Sequence, residues 1–161
     1  MSTHASIAGH PIHPMLVSLP IGLWIFSMIC DFVFISTGDP RWAATAYFTL
    51  GGGIVGALLA ALPGLVDLLG LQDARARRIG ILHLVLNLAI VAVQAVNFWL
   101  RMQAGVDSEV AALPRGISIV AVAALFASGW LGGHLVHVLG VTQPREASAR
   151  KATHDQPHPR T

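Results

Sequence analysis

Five histidines and one aspartate lie near the ends of long apolar stretches of this sequence, where their side chains could bind a metal ion, a haem or a proton. They are His10, His13, Asp67, His83, His134 and His137. Imidazole nitrogens ligate haem iron and transition metal ions, and a carboxylate can add a ligand or take up a proton. This chemistry requires that the chain bring these residues together, so it depends on the elements that carry them.

The composition indicates that those elements are membrane-spanning helices. The chain has 161 residues, of which 54% are apolar and 11% charged, and its mean hydropathy is +0.65. A soluble domain carries roughly 25% charged residues. The low charge and several apolar stretches of about 20 residues or more predict an all-α fold, an integral membrane four-helix bundle. We therefore expect the lipid bilayer as its partner. We expect no nucleic acid, because the basic residues lie in loops and tail and are not interleaved with aromatics.

The four spans are predicted at about 15–35, 42–71, 79–100 and 117–139. The chain then divides into an N-terminal segment 1–12, a transmembrane domain 13–141 and a polar tail 142–161 that we expect to be disordered. Pro11 and Pro14 suit the first turn of a helix. If that helix has begun by His10, then His10 and His13 share one of its faces. Asp31, near the far end of the first span, is expected to reach the interface.

Small residues mark helix contacts in the second and fourth spans. Gly52, Gly56 and Ala60 recur on one face of the second span, with Asp67 at its end. Such spacing predicts close approach of another helix. In the fourth span a Gly129 and Gly133 pair predicts tight packing, while Trp130, His134 and His137 occupy a separate sector.

The third span carries a polar stripe along its whole length. On a helical wheel its members lie within about 80° of one another. They are His83, Asn87, Gln94, Asn97 and Arg101. Lipid offers no hydrogen-bond partners, so the stripe must face the bundle interior. For Gln94 and Asn97 we expect interhelical hydrogen bonding.

Four spans place both termini on one side of the membrane, together with the loop at 72–78. That side holds seven basic residues and the other side three. The positive-inside rule then predicts that both termini are cytoplasmic. The six candidate residues would all lie toward this cytoplasmic face.

Two kinds of site fit these residues. The first is a haem b held by imidazoles from different helices, with His83 as one ligand and His13 or His134 opposite it. The second is a transition metal ion, such as zinc, copper or iron, bound by members of a larger set. That set is His10, His13, Asp67, His83, His134 and His137. Proton handling by the same groups is a third possibility.

The alternative is a membrane scaffold or partner subunit that binds no cofactor and uses its histidines as interhelical hydrogen-bond donors and acceptors. No hydrolytic nucleophile, transferase motif or phosphate loop is recognisable. Gly51-Gly52-Gly53 lacks the surrounding pattern of such a loop and lies in mid-span. If the chain has an enzymatic role, it is at most that of a redox subunit.

Several segments resemble the DUF2231 family of bacterial four-span membrane proteins. They are Gly9-His10-Pro11-Ile12-His13-Pro14, Leu19-Pro20-Ile21-Gly22, Leu62-Pro63-Gly64-Leu65-Val66-Asp67, His83-Leu84-Val85-Leu86-Asn87 and Gly129-Trp130-Leu131-Gly132-Gly133-His134. The resemblance covers residues 9–141.

This resemblance implies a multi-pass protein of the bacterial inner membrane. Its arrangement is similar to that of small b-type cytochromes, which work with a redox partner or another membrane subunit. The sequence departs from the family pattern at His134, where the residue is commonly acidic. It departs again at Leu139, where a histidine is expected, with His137 two residues earlier.

Overall fold

The computed structural model describes residues 6–7, 10–106 and 111–137. Four helices make up the fold: α1 (Ile12–Thr37), α2 (Pro40–Leu69), α3 (Ala74–Ala104) and α4 (Ala112–His137). Two short strands, β1 (Ser6–Ile7) and β2 (His10–Pro11), pair in antiparallel orientation before α1. Each helix is long and apolar enough to cross a membrane. The predicted all-α, four-span architecture is confirmed.

Short polar turns end one helix and start the next. Gly38, at the end of α1, has a φ of +68°, a left-handed conformation that glycine adopts without steric cost. Asp39 then caps α2 by accepting a hydrogen bond from the Arg41 amide at 3.0 Å, and Pro40 occupies the first helical turn. Asp73 caps α3 in the same way, its Oδ1 lying 2.7 Å from the Ala76 amide. These caps fix where α2 and α3 begin, and the short turns make successive helices antiparallel.

The small residues of α2 lie against α1, as predicted. A Cβ atom at Gly56 would meet Leu19 and Pro20 of α1 at 3.2 and 3.3 Å. Side chains of α1 also donate to carbonyls of α2: Trp24 Nε1 to Leu50 O at 3.1 Å and Ser27 Oγ to Ala46 O at 2.7 Å. Glycine and alanine let the two backbones approach closely enough for these bonds. The α1–α2 contact is the most extensive in the bundle, whereas α1 and α4 touch little.

The buried positions of α1 recur in α3, 70 residues later in the chain. On α1 they are Pro20, Trp24, Ser27 and Asp31, and on α3 they are Ile90, Gln94, Asn97 and Arg101. His13 and His83 have the same separation. The two helices therefore turn corresponding faces toward the interior.

An apolar layer crosses the middle of the bundle. It is built from Trp24, Leu50, Ile90, Ala121 and Leu125, which come from all four helices. Along α1, Trp24 lies between His13 and Asp31, and along α3, Ile90 lies between His83 and Arg101. The layer therefore separates the polar groups at one end of the bundle from those at the other.

The glycines of α4 that contact another helix differ from the predicted pair. A Cβ atom at Gly129 or Gly133 would meet no atom within 4 Å in the described part of the chain, and Trp130 is 78% exposed. A Cβ atom at Gly132 would instead lie 3.2 Å from Cε1 of His83. The prediction of tight packing at Gly129 and Gly133 is wrong within this chain. The reason is that α4 is rotated so that the face carrying Gly132 turns toward the bundle interior.

Candidate functional site

His13 of α1 and His83 of α3 meet inside the bundle. Their ring centroids are 6.3 Å apart and the ring planes are perpendicular. The other two helices complete the surroundings, because Ala60 of α2 and Ser128 of α4 each contact one of the rings. All four helices therefore contribute to this histidine pair.

The His13 ring is held by α2. Its Nδ1 lies 2.7 Å from the carbonyl oxygen of Ala60. A carbonyl oxygen only accepts hydrogen bonds, so Nδ1 carries the proton and the lone pair is left on Nε2. A Cβ atom at Gly64, one turn further along α2, would lie 2.7 Å from the same Nδ1. Only glycine at position 64 leaves the ring in this place.

The His83 ring is held by α4 in a similar way. Its Nδ1 lies 3.0 Å from the carbonyl oxygen of Ser128 and 3.2 Å from the Ser128 hydroxyl. The carbonyl again requires that Nδ1 donate, which leaves the lone pair on Nε2. His83 and His13 thus share one tautomer, set by the backbone of the next helix.

Asn87 lies one turn after His83 and fixes its surroundings. The Asn87 Nδ2 donates to the His83 carbonyl oxygen at 2.7 Å and to Ser128 Oγ at 2.6 Å. These bonds use both amide hydrogens, whereas the contact with His83 Nε2 is longer, at 3.2 Å. The Nε2 lone pair of His83 is therefore still available to a stronger partner.

Two imidazoles with Nδ1 bonded to a carbonyl and Nε2 left as a base have the arrangement of metal-ligating histidines. The second hydrogen bond orients the ring and raises the basicity of the ligating nitrogen. Metal–imidazole bonds of about 2.0–2.1 Å place two rings on one metal ion on the order of 6 Å apart, centre to centre. The observed separation of 6.3 Å is close to this value.

His10 does not share a helical face with His13. It lies in β2, where its backbone pairs with Ile7, and α1 begins two residues later at Ile12. The condition under which the two histidines would share a face, a helix already begun at His10, is not met, because strand pairing sets the backbone there. The His10 side chain is exposed.

Asp67 lies on the same side of α2 as Gly64, three residues further along the helix. Its side chain is half-buried and takes part in other interactions. This position places a carboxylate about 4.5 Å along the helix axis from the glycine that contacts His13.

His134 points away from the histidine pair. It follows Gly132 by two residues, a rotation of about 200° around α4, and Gly132 is the residue that faces His83. His137 is the last residue of α4, and its side chain lies outside the described residues. Of the three candidate haem ligands, the structure brings together His13 and His83.

The number of protein ligands bears on the kind of group that could be held. Among residues 6–7, 10–106 and 111–137, no three His, Cys, Asp or Glu side chains form a metal-binding group. Zinc sites use three or four protein ligands. Haem iron takes its other ligands from the macrocycle and needs at most two from the protein. His13 and His83 are two histidines in ring contact, which is fewer than a bare zinc site uses.

A second polar cluster, which the sequence reasoning missed, lies at the other end of the bundle. Arg101 donates from Nη1 to Asp31 Oδ1 at 2.7 Å and from Nη2 to Asp31 Oδ2 at 2.6 Å. The two side chains are 3% and 0% exposed. The expectation that Asp31 reaches the interface is wrong, because Arg101 meets it inside the bundle. The available signal was spacing: Asp31 and Arg101 each follow a histidine of their own helix by 18 residues, or five helical turns.

The polar stripe of α3 continues inward from Arg101, as predicted. Arg101 Nε donates to Asn97 Oδ1 at 3.1 Å, and Asn97 Nδ2 donates to Gln94 Oε1 at 3.0 Å and Ser118 Oγ at 2.9 Å. Because arginine can only donate, it fixes the orientation of both amides. Gln94 Nε2 then remains buried without a partner in the part of the chain described. The interior position and the interhelical bonding expected of Asn97 are confirmed.

The two polar pairs lie toward opposite membrane faces. Eighteen helical residues correspond to about 27 Å, and the hydrocarbon core of a bilayer is about 30 Å thick. Exposed tryptophans lie near both levels: Trp130 two residues from Ser128, and Trp99 two residues from Arg101. Tryptophan is enriched at membrane interfaces. The histidine pair therefore faces one side of the membrane and the ion pair the other.

A comparison with protein families gives a match over nearly all of the described helices. The family model described as "Predicted membrane protein (DUF2231)" matches residues 9–145. No curated protein and no solved structure matches the chain.

Proposed function

The chain belongs to the DUF2231 family of predicted membrane proteins, and we propose that it is a small electron-transfer protein that binds haem b between His13 and His83. One observation carries the proposal. Two imidazoles on different helices lie 6.3 Å apart, and each has its Nδ1 hydrogen-bonded to a backbone carbonyl, which leaves Nε2 as the ligating nitrogen; at His83 a ligand would replace the 3.2 Å contact with Asn87 Nδ2.

The residues around the pair fit such a group. The carbonyls of Ala60 and Ser128 hold the rings and favour the ligating tautomer. Gly64 and Gly132 lie directly against the two rings, where a Cβ atom would crowd them, so they allow the rings to take these positions. Bound haem would supply one-electron chemistry at its iron. The protein's part is to bind, orient and shield that iron.

The contacts favour His13 over His134 as the ligand opposite His83. His13 is the imidazole in ring contact with His83, and His134 follows Gly132 by a rotation of about 200°. Asp67, on the side of α2 that faces His13, would balance the charge of the site or take up a proton on reduction. The wider set of ligands for a bare metal ion has less support, because no three His, Cys, Asp or Glu side chains in the described part of the chain form a metal-binding group.

The location that accompanies this role is the bacterial inner membrane, with both termini and the histidine pair toward the cytoplasm. Basic residues at the start of α3 support this orientation, since Arg75, Arg77 and Arg78 lie in its first turns, close after the end of α2. A redox partner would then approach from that face.

A second candidate function is a scaffold or partner subunit with structural histidines. The same hydrogen bonds favour it, because His13 to Ala60 and His83 to Ser128 join neighbouring helices and need no cofactor. Under this alternative the protein would be colourless and free of metal.

The test is a visible absorption spectrum with elemental analysis of the full chain, purified from haem-supplied cells. We expect a Soret band in the wild type that is lost in His13→Ala and in His83→Ala and retained in His134→Ala. Helix content by circular dichroism checks that the variants fold. Full cofactor content in His83→Ala would overturn the assignment. A colourless, metal-free wild type would support the scaffold function. Bound metal without a Soret band would support a bare metal site.

A further inference from the structure

Three arginines at the start of α3 carry positive charge that forms no ion pair within the described part of the chain. Arg75, Arg77 and Arg78 are all exposed. The two ion pairs among the described residues are Arg41–Asp39 and Arg101–Asp31, so none of the three takes part in one. Asp73, the nearest acidic residue, accepts a hydrogen bond from the Ala76 amide. This end of α3 therefore presents concentrated positive charge at a membrane face.

An apolar groove begins directly beside Arg78. A cavity of about 390 Å³ is bordered by Arg78, Ile79, Ile81, Leu82 and Val85. Gly80 marks the inner face of α3, where a Cβ atom would meet Leu68 of α2 and Leu71 of the following turn. Arg78 and Leu82 are each two residues from Gly80, about 200° around the helix, and so face outward. The groove lies on the lipid-facing side of α3.

The dimensions of this face match one leaflet of a bilayer. Ile81, Leu82, Val85 and Leu88 are all exposed. From Arg78 to Leu88 the helix rises about 15 Å, which is half of the roughly 30 Å hydrocarbon core. An acyl chain whose headgroup is at Arg78 would follow these side chains down to mid-membrane.

We infer that this face of α3 is a binding site for an anionic phospholipid, with its phosphate at Arg78 and one acyl chain along Ile81, Leu82 and Val85. Guanidinium groups bind phosphate through paired hydrogen bonds, and a basic cluster next to a span attracts anionic lipids. The positive charge selects against a zwitterionic headgroup, whose ammonium adds like charge to the site. The site is separate from the histidine pair and does not depend on haem.

Native mass spectrometry of the full chain in detergent tests the site, with phosphatidylglycerol and phosphatidylcholine of identical acyl chains as probes. We expect the wild type to prefer phosphatidylglycerol. Arg78→Gln should weaken that binding about fivefold, the effect of one interfacial basic residue, and the triple variant at positions 75, 77 and 78 should remove the preference. Arg41→Gln, the control on the opposite face, should change nothing.

A second pair of variants tests the acyl chain contact. Val85→Trp fills the groove and should weaken binding of both lipids, whereas Val96→Trp, exposed in the other leaflet, should not. Equal binding of the two lipids by the wild type would overturn the site. So would equal losses in Arg78→Gln and Arg41→Gln, which would indicate unspecific charge attraction. If inorganic phosphate displaces phosphatidylglycerol and Val85→Trp has no effect, the acyl chain does not bind in the groove. The site would then bind only phosphate, and the lipid proposal would be overturned. The visible spectrum of Arg78→Gln should equal that of the wild type, with a Soret band if the histidines hold haem and without one if they do not.

Discussion

Asp31 and Arg101 form a buried ion pair with two hydrogen bonds, and each lies five helical turns from the histidine of its own helix. His13 and His83 make the corresponding contact at the other end of the same two helices. α1 and α3 are not joined by a turn, yet they meet at two levels about 27 Å apart. Side chains of α1 and α3 are therefore in contact near both ends of the bundle.

The first prediction concerns the cost of breaking this ion pair. Asp31→Asn removes the carboxylate charge and leaves Arg101 positively charged in the interior, where its side chain is 3% exposed. We expect a loss of about 3–5 kcal/mol in the free energy of unfolding, typical for one partner of a buried pair. Denaturant unfolding in detergent micelles, followed by circular dichroism, measures it.

The double variant Asp31→Leu with Arg101→Met serves as the comparison, because it removes both charges at once. Its stability should lie much nearer the wild type. Arg41→Gln, which breaks the exposed pair with Asp39, should change stability little. A loss as large in the double variant as in Asp31→Asn would show that packing and not charge accounts for the effect.

Glycines beside the histidines give the second prediction. Gly64→Ala places a Cβ atom 2.7 Å from His13 Nδ1 and must displace the ring, whereas Gly132→Ala approaches His83 Cε1 at 3.2 Å. We expect Gly64→Ala to lower the Soret absorbance per protein more than Gly132→Ala. Gly129→Ala is the matched control in the same helix as Gly132, since its Cβ atom meets nothing within 4 Å in the described part of the chain. An equal loss of Soret absorbance in all three variants would show that cofactor binding does not depend on the histidine pair.

The third prediction concerns orientation. In a Cys30→Ser background, a cysteine at Gln72 should react with a membrane-impermeant maleimide only from the cytoplasmic side, and one at Gln103 only from the other side. Both positions are exposed and lie beyond opposite ends of the apolar layer. The reverse pattern would contradict the positive-inside assignment.

Asp39 gives a prediction about pH. Hydrogen bonds from the Arg41 side chain and amide hold the pKa of this carboxyl below its ordinary value. A lowered pKa in the folded state stabilises the protein above the unfolded-state pKa, and this contribution is lost as the pH falls through the folded value. The amide introduced by Asp39→Asn still caps a helix but carries no charge. Wild type should therefore exceed this variant in melting temperature at neutral pH, and the difference should vanish in acid. A difference in melting temperature that persists at low pH would show that helix capping alone, and not the charge of Asp39, causes it.

Much of the fold follows from rules that lipid enforces. A long apolar stretch must be helical in a bilayer, and polar residues on it must find partners inside the bundle. These rules predict the four spans and the inward stripe that contains Asn97 and Arg101. The small residues of α2, such as Gly56, likewise predict the close approach of a neighbouring helix.

The pairing of individual side chains does not follow from the same rules. Whether His13 or His134 meets His83 depends on the rotation of α1 and α4, and neither rotation is encoded by one residue. A turn of about 100° separates a packed Gly132 from a Gly133 that contacts nothing within 4 Å in the part described. Asp31 and Arg101 are 70 residues apart in the chain. Their contact therefore depends on how the α1–α2 hairpin is aligned along its length with the α3–α4 hairpin. Only the equal 18-residue spacings pointed to it.

The apolar layer of Trp24, Leu50, Ile90, Ala121 and Leu125 also divides the polar interior of the bundle into two parts. It interrupts the polar stripe between Asn87 and Gln94, so no continuous line of hydrogen-bonding side chains runs along α3 from one face to the other. If the proposed haem site takes up a proton on reduction, we expect this layer to return it to the side from which it came.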